Sequence, residues 1–213
     1  LLQRLGKTAD WIKKNADIFF AHPERGQMRH VWVCDDEGNP LWDQPIFLEP
    51  RAVITLPINL DGYIGLQEVW RPVFRAEAEN FYPDLNYRQL GCVLIEAPRG
   101  LVESGESYEQ AACREVEEEM QLAAVRAESI GYWMPNSAYT CNRIPACVVY
   151  VDHKRPVARG RDTGEKDIRV KWYHEDDVAE MLANGAIECG ATSKALSWYF
   201  VKRFREIKKK PSK

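Results

Sequence analysis

Residues 100–122 read GLVESGESYEQAACREVEEEMQL, and their spacing decides how the rest of the chain is read. Ser107 is a good helix N-cap and Gln110, three residues on, completes a capping-box pattern; Ala111, Ala112 and Val116 continue it, which predicts a helix over 107–120. On a wheel at about 100° per residue, Ala112, Val116 and Met120 form one apolar stripe, and Glu115, Glu118 and Glu119 fall beside it within an arc of roughly 100°. Like charges at i,i+4 repel, and anions in the C-terminal half of a helix oppose its dipole. A Glu-rich run is usually a solvated face, but carboxylates that cost stability twice invite a compensating cation, and hard oxygens suit Mg²⁺ or Mn²⁺.

The spacing carries more weight than the composition. At average residue usage, Gly100, Glu106, Arg114, Glu115, Glu118 and Glu119 would fall at six fixed positions with a chance of about 10⁻⁷ per starting point. The segment resembles the Nudix box, G-x5-E-x7-R-E-U-x-E-E-x-G-U, with U a bulky aliphatic residue. Gly100, Glu106, Arg114, Glu115, Val116, Glu118, Glu119 and Leu122 fill their positions; the departure is Gln121, where the family has glycine in the left-handed region.

That resemblance implies an α+β fold, a mixed α/β/α sandwich, and Mg²⁺-dependent hydrolysis of a nucleoside diphosphate linked to another moiety, with Mn²⁺ as the other candidate ion. It implies Glu115 and Glu119 as principal metal ligands, and Glu118 as a further ligand or the holder of metal-bound water, hence a catalytic candidate. The main-chain carbonyl of Arg99 would be an additional ligand, and Glu106 with Arg114 an ion pair pinning loop to helix. A cation so held polarises a bridging pyrophosphate and lowers the pKa of bound water.

A looser similarity links the chain to the ADP-ribose pyrophosphatase branch of the family. Gln67-Glu68-Val69-Trp70-Arg71-Pro72 looks like that branch's strand with a phosphate-facing arginine, and Ile95-Glu96-Ala97-Pro98-Arg99-Gly100 like its E-x-P-x-G approach to the box. Glu165, in a polar loop over 153–167, stands where the branch carries a mobile general base. The branch's Ser-Pro-Gly segment is replaced by Met134-Pro135-Asn136-Ser137-Ala138-Tyr139. Arg71, Arg75, Arg88 and Arg99 are the arginines that could fork onto phosphates, Arg71 having the matching context. Trp70, Phe81, Tyr82 and Trp133 are aromatic near strands, more often core than a stacking platform.

Outward from this segment, the 213 residues suit one domain with an extension: 1–50 as an N-terminal helix and β-hairpin, 51–213 as the catalytic domain. Strands are expected at 29–34, 42–48, 52–58, 63–69, 89–97, 130–133, 144–151 and 168–173, and helices at 175–182 and 192–207 after an opening amphipathic helix. The hydrophobic fraction of 45% and charged fraction of 29% exclude low-complexity and disordered classes. A net charge of -3 gives no bulk attraction to nucleic acid or anionic membrane, and the basic tail reads as a solvated end. No apolar run approaches the roughly 20 residues that span a bilayer, and no secretory signal is evident, so the cytosol is the expected location. Six scattered cysteines without CxxC spacing read as reduced thiols. The small N-terminal sheet is the natural place for a homodimer contact.

The function expected is hydrolysis of the pyrophosphate bond in ADP-ribose or a related nucleotide sugar. The alternatives are another nucleoside diphosphate derivative, such as a dinucleotide coenzyme or a capped RNA end, or a non-catalytic nucleotide-binding module.

Overall fold

The computed structural model describes residues 17–22, 26–71, 93–158 and 168–209. The expected opening helix, the N-terminal part of the 89–97 strand, Arg75, Phe81, Tyr82, Arg88, Glu165 and the last residues of the tail lie outside these. The described residues divide into two compact units: those up to Arg51 together with Met134–Ile144, and those from Ala52 to Trp133 and from Pro145 onward.

The first unit is a three-stranded antiparallel sheet, β1 (Asp17–His22), β2 (Gly26–Cys34) and β3 (Pro40–Leu48), in that order. The β2–β3 turn is built as its sequence suggests. Asp35 accepts from the Asn39 amide through its side chain (2.7 Å), and Gly38 takes a positive φ of 93°. Strand β1 was not anticipated. The stretch 134–144 joins this unit: Phe47 N donates to the Tyr139 carbonyl (2.6 Å) and Asn142 Nδ2 to the Glu49 carbonyl (2.6 Å).

The second unit is a seven-stranded mixed sheet with three helices. Its strands are β4 (Ala52–Asn59), β5 (Ile64–Trp70), β6 (Val93–Glu96), β7 (Arg99–Leu101), β8 (Leu122–Trp133), β9 (Ile144–Pro156) and β10 (Arg169–Tyr173). Its helices are α1 (Tyr108–Met120), α2 (Glu175–Ala183) and α3 (Gly190–Lys209). The path is β10-β5-β4-β9-β8, with β6 on β5 and β7 on β4. Buried almost throughout, β4 reads as a near-continuous apolar run, as a strand covered on both faces should.

The feature that positions the site is a split between β4 and β5. They pair only at Ile58 and Ile64, after which β4 pairs antiparallel with β7 over Ala52–Ile54 and β5 with β6 over Gln67–Trp70. Residues 93–101 therefore fill the wedge. Pro98 does end one strand, since it offers no ladder donor. The chain then resumes pairing at Arg99, a short strand the sequence reading did not foresee. The corner is tied on both sides: Thr55 donates to the Pro98 carbonyl through N (2.8 Å) and Oγ1 (3.0 Å), and Ala97 N donates to Thr192 Oγ1 (2.9 Å).

Strand parity separates the two faces of this sheet. Val53, Cys147, Val149 and Val151 pack with Ala111, Ala112, Val116 and Met120 of α1. Ile54 and Leu56, alternating with them, are also buried, and α3 packs on β4 and β8, contributing Ala195 and Leu196 to the core. This is the α/β/α sandwich expected. Strands β8 and β9 run longer than predicted, taking in 122–129 and 152–156, because cross-strand pairing extends past the apolar cores that mark them in sequence.

Candidate active site

Helix α1 starts as its sequence dictates, with Ser107 Oγ accepting from Gln110 N (3.1 Å) and Gln110 Oε1 from Ser107 N (2.8 Å). Its buried positions are Ala111, Ala112, Glu115, Val116, Glu119 and Met120. Two of the three clustered glutamates are thus inside, Glu115 at 7% and Glu119 at 4% exposure. A solvated acidic face is not what this helix presents.

Arg114 organises the turn. Its Nε and Nη2 donate to Glu106 (3.0 and 3.2 Å), Nη1 to Glu115 (2.7 Å) and Glu118 (2.8 Å), and Nη2 to the Leu101 carbonyl (2.6 Å). Burial opposes the charge on this guanidinium, but its hydrogen bonds to Glu106 and the charge of Glu115 outweigh it and raise its pKa. The partner set is wider than the Glu106 pair named from sequence. It draws Glu115 and Glu118 toward one cation, and among the described residues no three acidic, His or Cys side chains enclose a metal-sized point.

Gly100, in the middle of β7, lies flat against Glu115: a Cβ there would overlap that carboxyl group. The main chain of residues 99–100 therefore runs beside a buried carboxylate. Across the split, Arg71 Nη2 donates to Glu96 (2.7 Å), which is buried, and Nε reaches the second oxygen at 3.4 Å. The Glu96 hydrogen bond raises the Arg71 pKa against the cost of burial, and the charges of Glu96, Glu119 and Cys189 add to it. Arg71, Arg99 and Glu119 line one cavity of about 170 Å³ with Gln67, Val69 and Ala97.

Gln121 adopts the left-handed conformation of the glycine it replaces, φ 59° and ψ 35°. Its side chain compensates, Nε2 donating to the Glu118 carbonyl (2.7 Å) and the Glu117 carbonyl (3.3 Å), which are among the acceptors a helix end leaves unpaired.

Residues 67–191, more than half of the chain, match the family model described as the NUDIX domain. The chain belongs to the Nudix family. Nudix hydrolases act on nucleoside diphosphate derivatives and generally use divalent metals such as Mg²⁺. Among solved structures, the chain is similar to one titled "Crystal structure of ADP compounds hydrolase", at 16% identity and a TM-score of 0.67, covering 92% of this chain and 96% of that one. No curated protein matches the sequence.

The Nudix helix and its approach strand bring Arg99, Glu106, Arg114, Glu115, Glu118 and Glu119 together, with Arg71 across the wedge. Trp70 is exposed and is not among the described residues that line this cavity. The replaced Ser-Pro-Gly stretch, 134–139, belongs to the N-terminal unit. Sequence reasoning missed two contributors, Glu96 and Gln67. The signal for both was the pattern leading to Arg71: Gln67 and Val69 share one face of β5, and Glu96 is the cross-strand partner of Gln67. Among the described residues there is no disulfide; Cys34, Cys113, Cys141, Cys147 and Cys189 are free thiols.

Proposed function

We propose that this Nudix hydrolase splits the pyrophosphate linkage of ADP-ribose or a related nucleotide sugar, adding water across one P–O–P bond to give a nucleoside monophosphate and a sugar phosphate. The observation that carries the reading is the pair of buried carboxylates, Glu115 against the Gly100 main chain and Glu119 in the lining of a cavity that Arg71 and Arg99 share. Anions buried this deeply are retained where cations and hydrogen bonds offset their desolvation.

The donor set is hard oxygen throughout, which fits Mg²⁺ or Mn²⁺. Glu115 and Glu119, with Glu118 and the Arg99 carbonyl, are the residues that would hold it, and the ion would supply charge neutralisation on the diphosphate and a more acidic water. The chain's own groups do the rest. Arg71, aimed by its bond to Glu96, presents N–H groups to phosphate oxygens, and Arg99 does so from β7. Arg114 pins Glu106 and the box loop to α1, so that the carboxylates keep their places. Glu165 is proposed as the base that accepts the proton of the attacking water.

The ADP compounds hydrolase to which the fold is similar lends support to an adenosine diphosphate derivative as substrate. The intact carboxylates and the self-capped Gln121 weigh against a purely binding module. The decisive test is incubation with a panel of ADP-ribose, other nucleotide sugars, dinucleotide coenzymes and capped RNA, with and without Mg²⁺, and identification of the products. Metal-dependent release of AMP and ribose 5-phosphate supports the reading; preference for another diphosphate transfers it to that substrate, and no hydrolysis of any compound overturns it.

Domain limits of 1–50 and 51–213, a homodimer formed through the N-terminal sheet, and a cytosolic location complete the proposal. Met28 and Trp32 are exposed and share one face of β2, a surface suited to a second copy. Light scattering at monomer mass would overturn the dimer. No helix among the described residues is long and apolar enough to cross a membrane.

A further inference from the structure

Gln67 stands out among the groups that the proposed chemistry does not use. It is 2% exposed, in the middle of β5, and its Nε2 has no hydrogen-bond partner among the described residues. An amide nitrogen that has left water without a new acceptor is destabilising, and native proteins keep such groups for a reason. Methionine or leucine would fill the same volume without that cost. Gln67 is among the residues that line the cavity Arg71, Arg99 and Glu119 border.

The surroundings define what would satisfy it. Gln67 and Val69 share one face of β5, and Arg71, directly after the strand, lines the same cavity. Glu96, the cross-strand neighbour of Gln67, is committed to Arg71 at 2.7 Å. With Gln67, Arg71 and Arg99 beside Glu119 in its lining, the cavity brings donor-bearing side chains next to one carboxylate, a setting for an occupant rich in acceptors and negatively charged. A phosphate oxygen has that character: Glu96 engages Arg71 through Nε and Nη2, and a guanidinium carries further N–H groups that a phosphate can accept from.

We propose that Gln67 is a substrate-positioning residue, whose carboxamide donates to a phosphate oxygen of the diphosphate that Arg71 holds. This rests on the function proposed above. It assigns Gln67 to the ligand, where its burial alone would assign it to the core.

The test compares the parent protein with Gln67→Met and Gln67→Glu by three readouts: thermal midpoint without ligand, ADP binding by calorimetry, and KM and kcat for the best substrate of the panel. Gln67→Met should keep or raise the thermal midpoint, raise KM and the ADP Kd about tenfold, and change kcat less than threefold. Gln67→Glu, which sets an anion against the phosphate, should weaken both further. KM and Kd within twofold of the parent in both variants would overturn the assignment, as would a lowered midpoint with unchanged KM, which marks a packing role. Should Gln67→Met fail to fold, Gln67→Glu and Gln67→Asn decide by the same ADP titration. A parent that neither binds ADP nor hydrolyses any diphosphate removes the proposed function, and this inference with it; a parent that binds while the variants match it removes only the inference.

Discussion

Gly100 of β7 and Glu115 of α1 are packed so closely that no side chain of any size fits between them. This contact joins the wedge in the sheet to the acidic helix, and it explains physically why a strand residue fifteen positions before the glutamate must be glycine. Adding one methyl group has to displace either the strand or the carboxylate. We expect Gly100→Ala to lower stability by about 1–3 kcal/mol, the usual cost of overpacking. Turnover should fall about 100-fold, because displacing a reacting group by about an ångström is enough for that. Denaturant melts and initial rates on one preparation check both.

Arg114 holds four acceptor groups at once: Glu106, Glu115, Glu118 and the Leu101 carbonyl. Its side chain and those of Glu106 and Glu115 are largely buried. Removing it strands carboxylates in a dry environment, so Arg114→Ala should cost about 3–5 kcal/mol. Arg114→Lys should recover only part of this, since an ammonium lacks the forked donors that span Glu106 and Glu115 together. Urea midpoints for the three proteins give the comparison.

Gln121 balances a strained backbone against a useful side chain. Gln121→Ala keeps the left-handed φ and loses the bonds to the Glu117 and Glu118 carbonyls, whereas Gln121→Gly loses the bonds and relieves the strain. The alanine variant should therefore be the least stable, by about 1 kcal/mol relative to glycine, with the glycine variant close to the parent. A reversed order would show that the strain is negligible.

Burial lifts the Cys147 thiol to about 12, with the charge of Glu109 adding to it. A folded-state pKa above the unfolded value means that the native state retains the proton longer. Its contribution to stability is complete below pH 9 and is lost as the pH rises from about 9 towards 12, at up to about 1.4 kcal/mol per pH unit. Tyr199, also raised chiefly by burial and by its bond to Glu175, acts in the same direction. Thermal melts from pH 8 to 11 should show this decline, and Cys147→Ala should make it shallower.

Much of this architecture was legible in the sequence because local chemistry and tertiary structure agree there. Ser107 and Gln110 cap α1 as their spacing requires, and the β-rich runs 52–58 and 63–69 mark β4 and β5, which are buried along most of their length. What could not be read depends on partners far along the chain. β7 is only three residues long and exists because β4 diverges from β5, and nothing in Arg99-Gly100-Leu101 signals strand by itself. The wheel placed Glu115, Glu118 and Glu119 together but could not show that Arg114 would hold two of them. The meaning of Gln121 was likewise open between a strained turn and a different ending, and its own side chain resolves it. Gln67 and Glu96 were hidden for a simpler reason: polar residues inside an apolar strand gain significance only when the neighbouring strand is known.

The central claim, that the buried carboxylates of α1 serve a cation acting on a diphosphate, is tested most directly by one comparison. Hydrolysis of ADP-ribose should be measured across a Mg²⁺ titration for the parent, Glu118→Gln and Glu119→Gln, with folding verified for each. The account predicts Mg²⁺-stimulated AMP release by the parent and a loss of at least about 100-fold in Glu119→Gln, with Glu118→Gln also impaired. Equal rates in all three proteins, or rates indifferent to Mg²⁺ and EDTA, would contradict it.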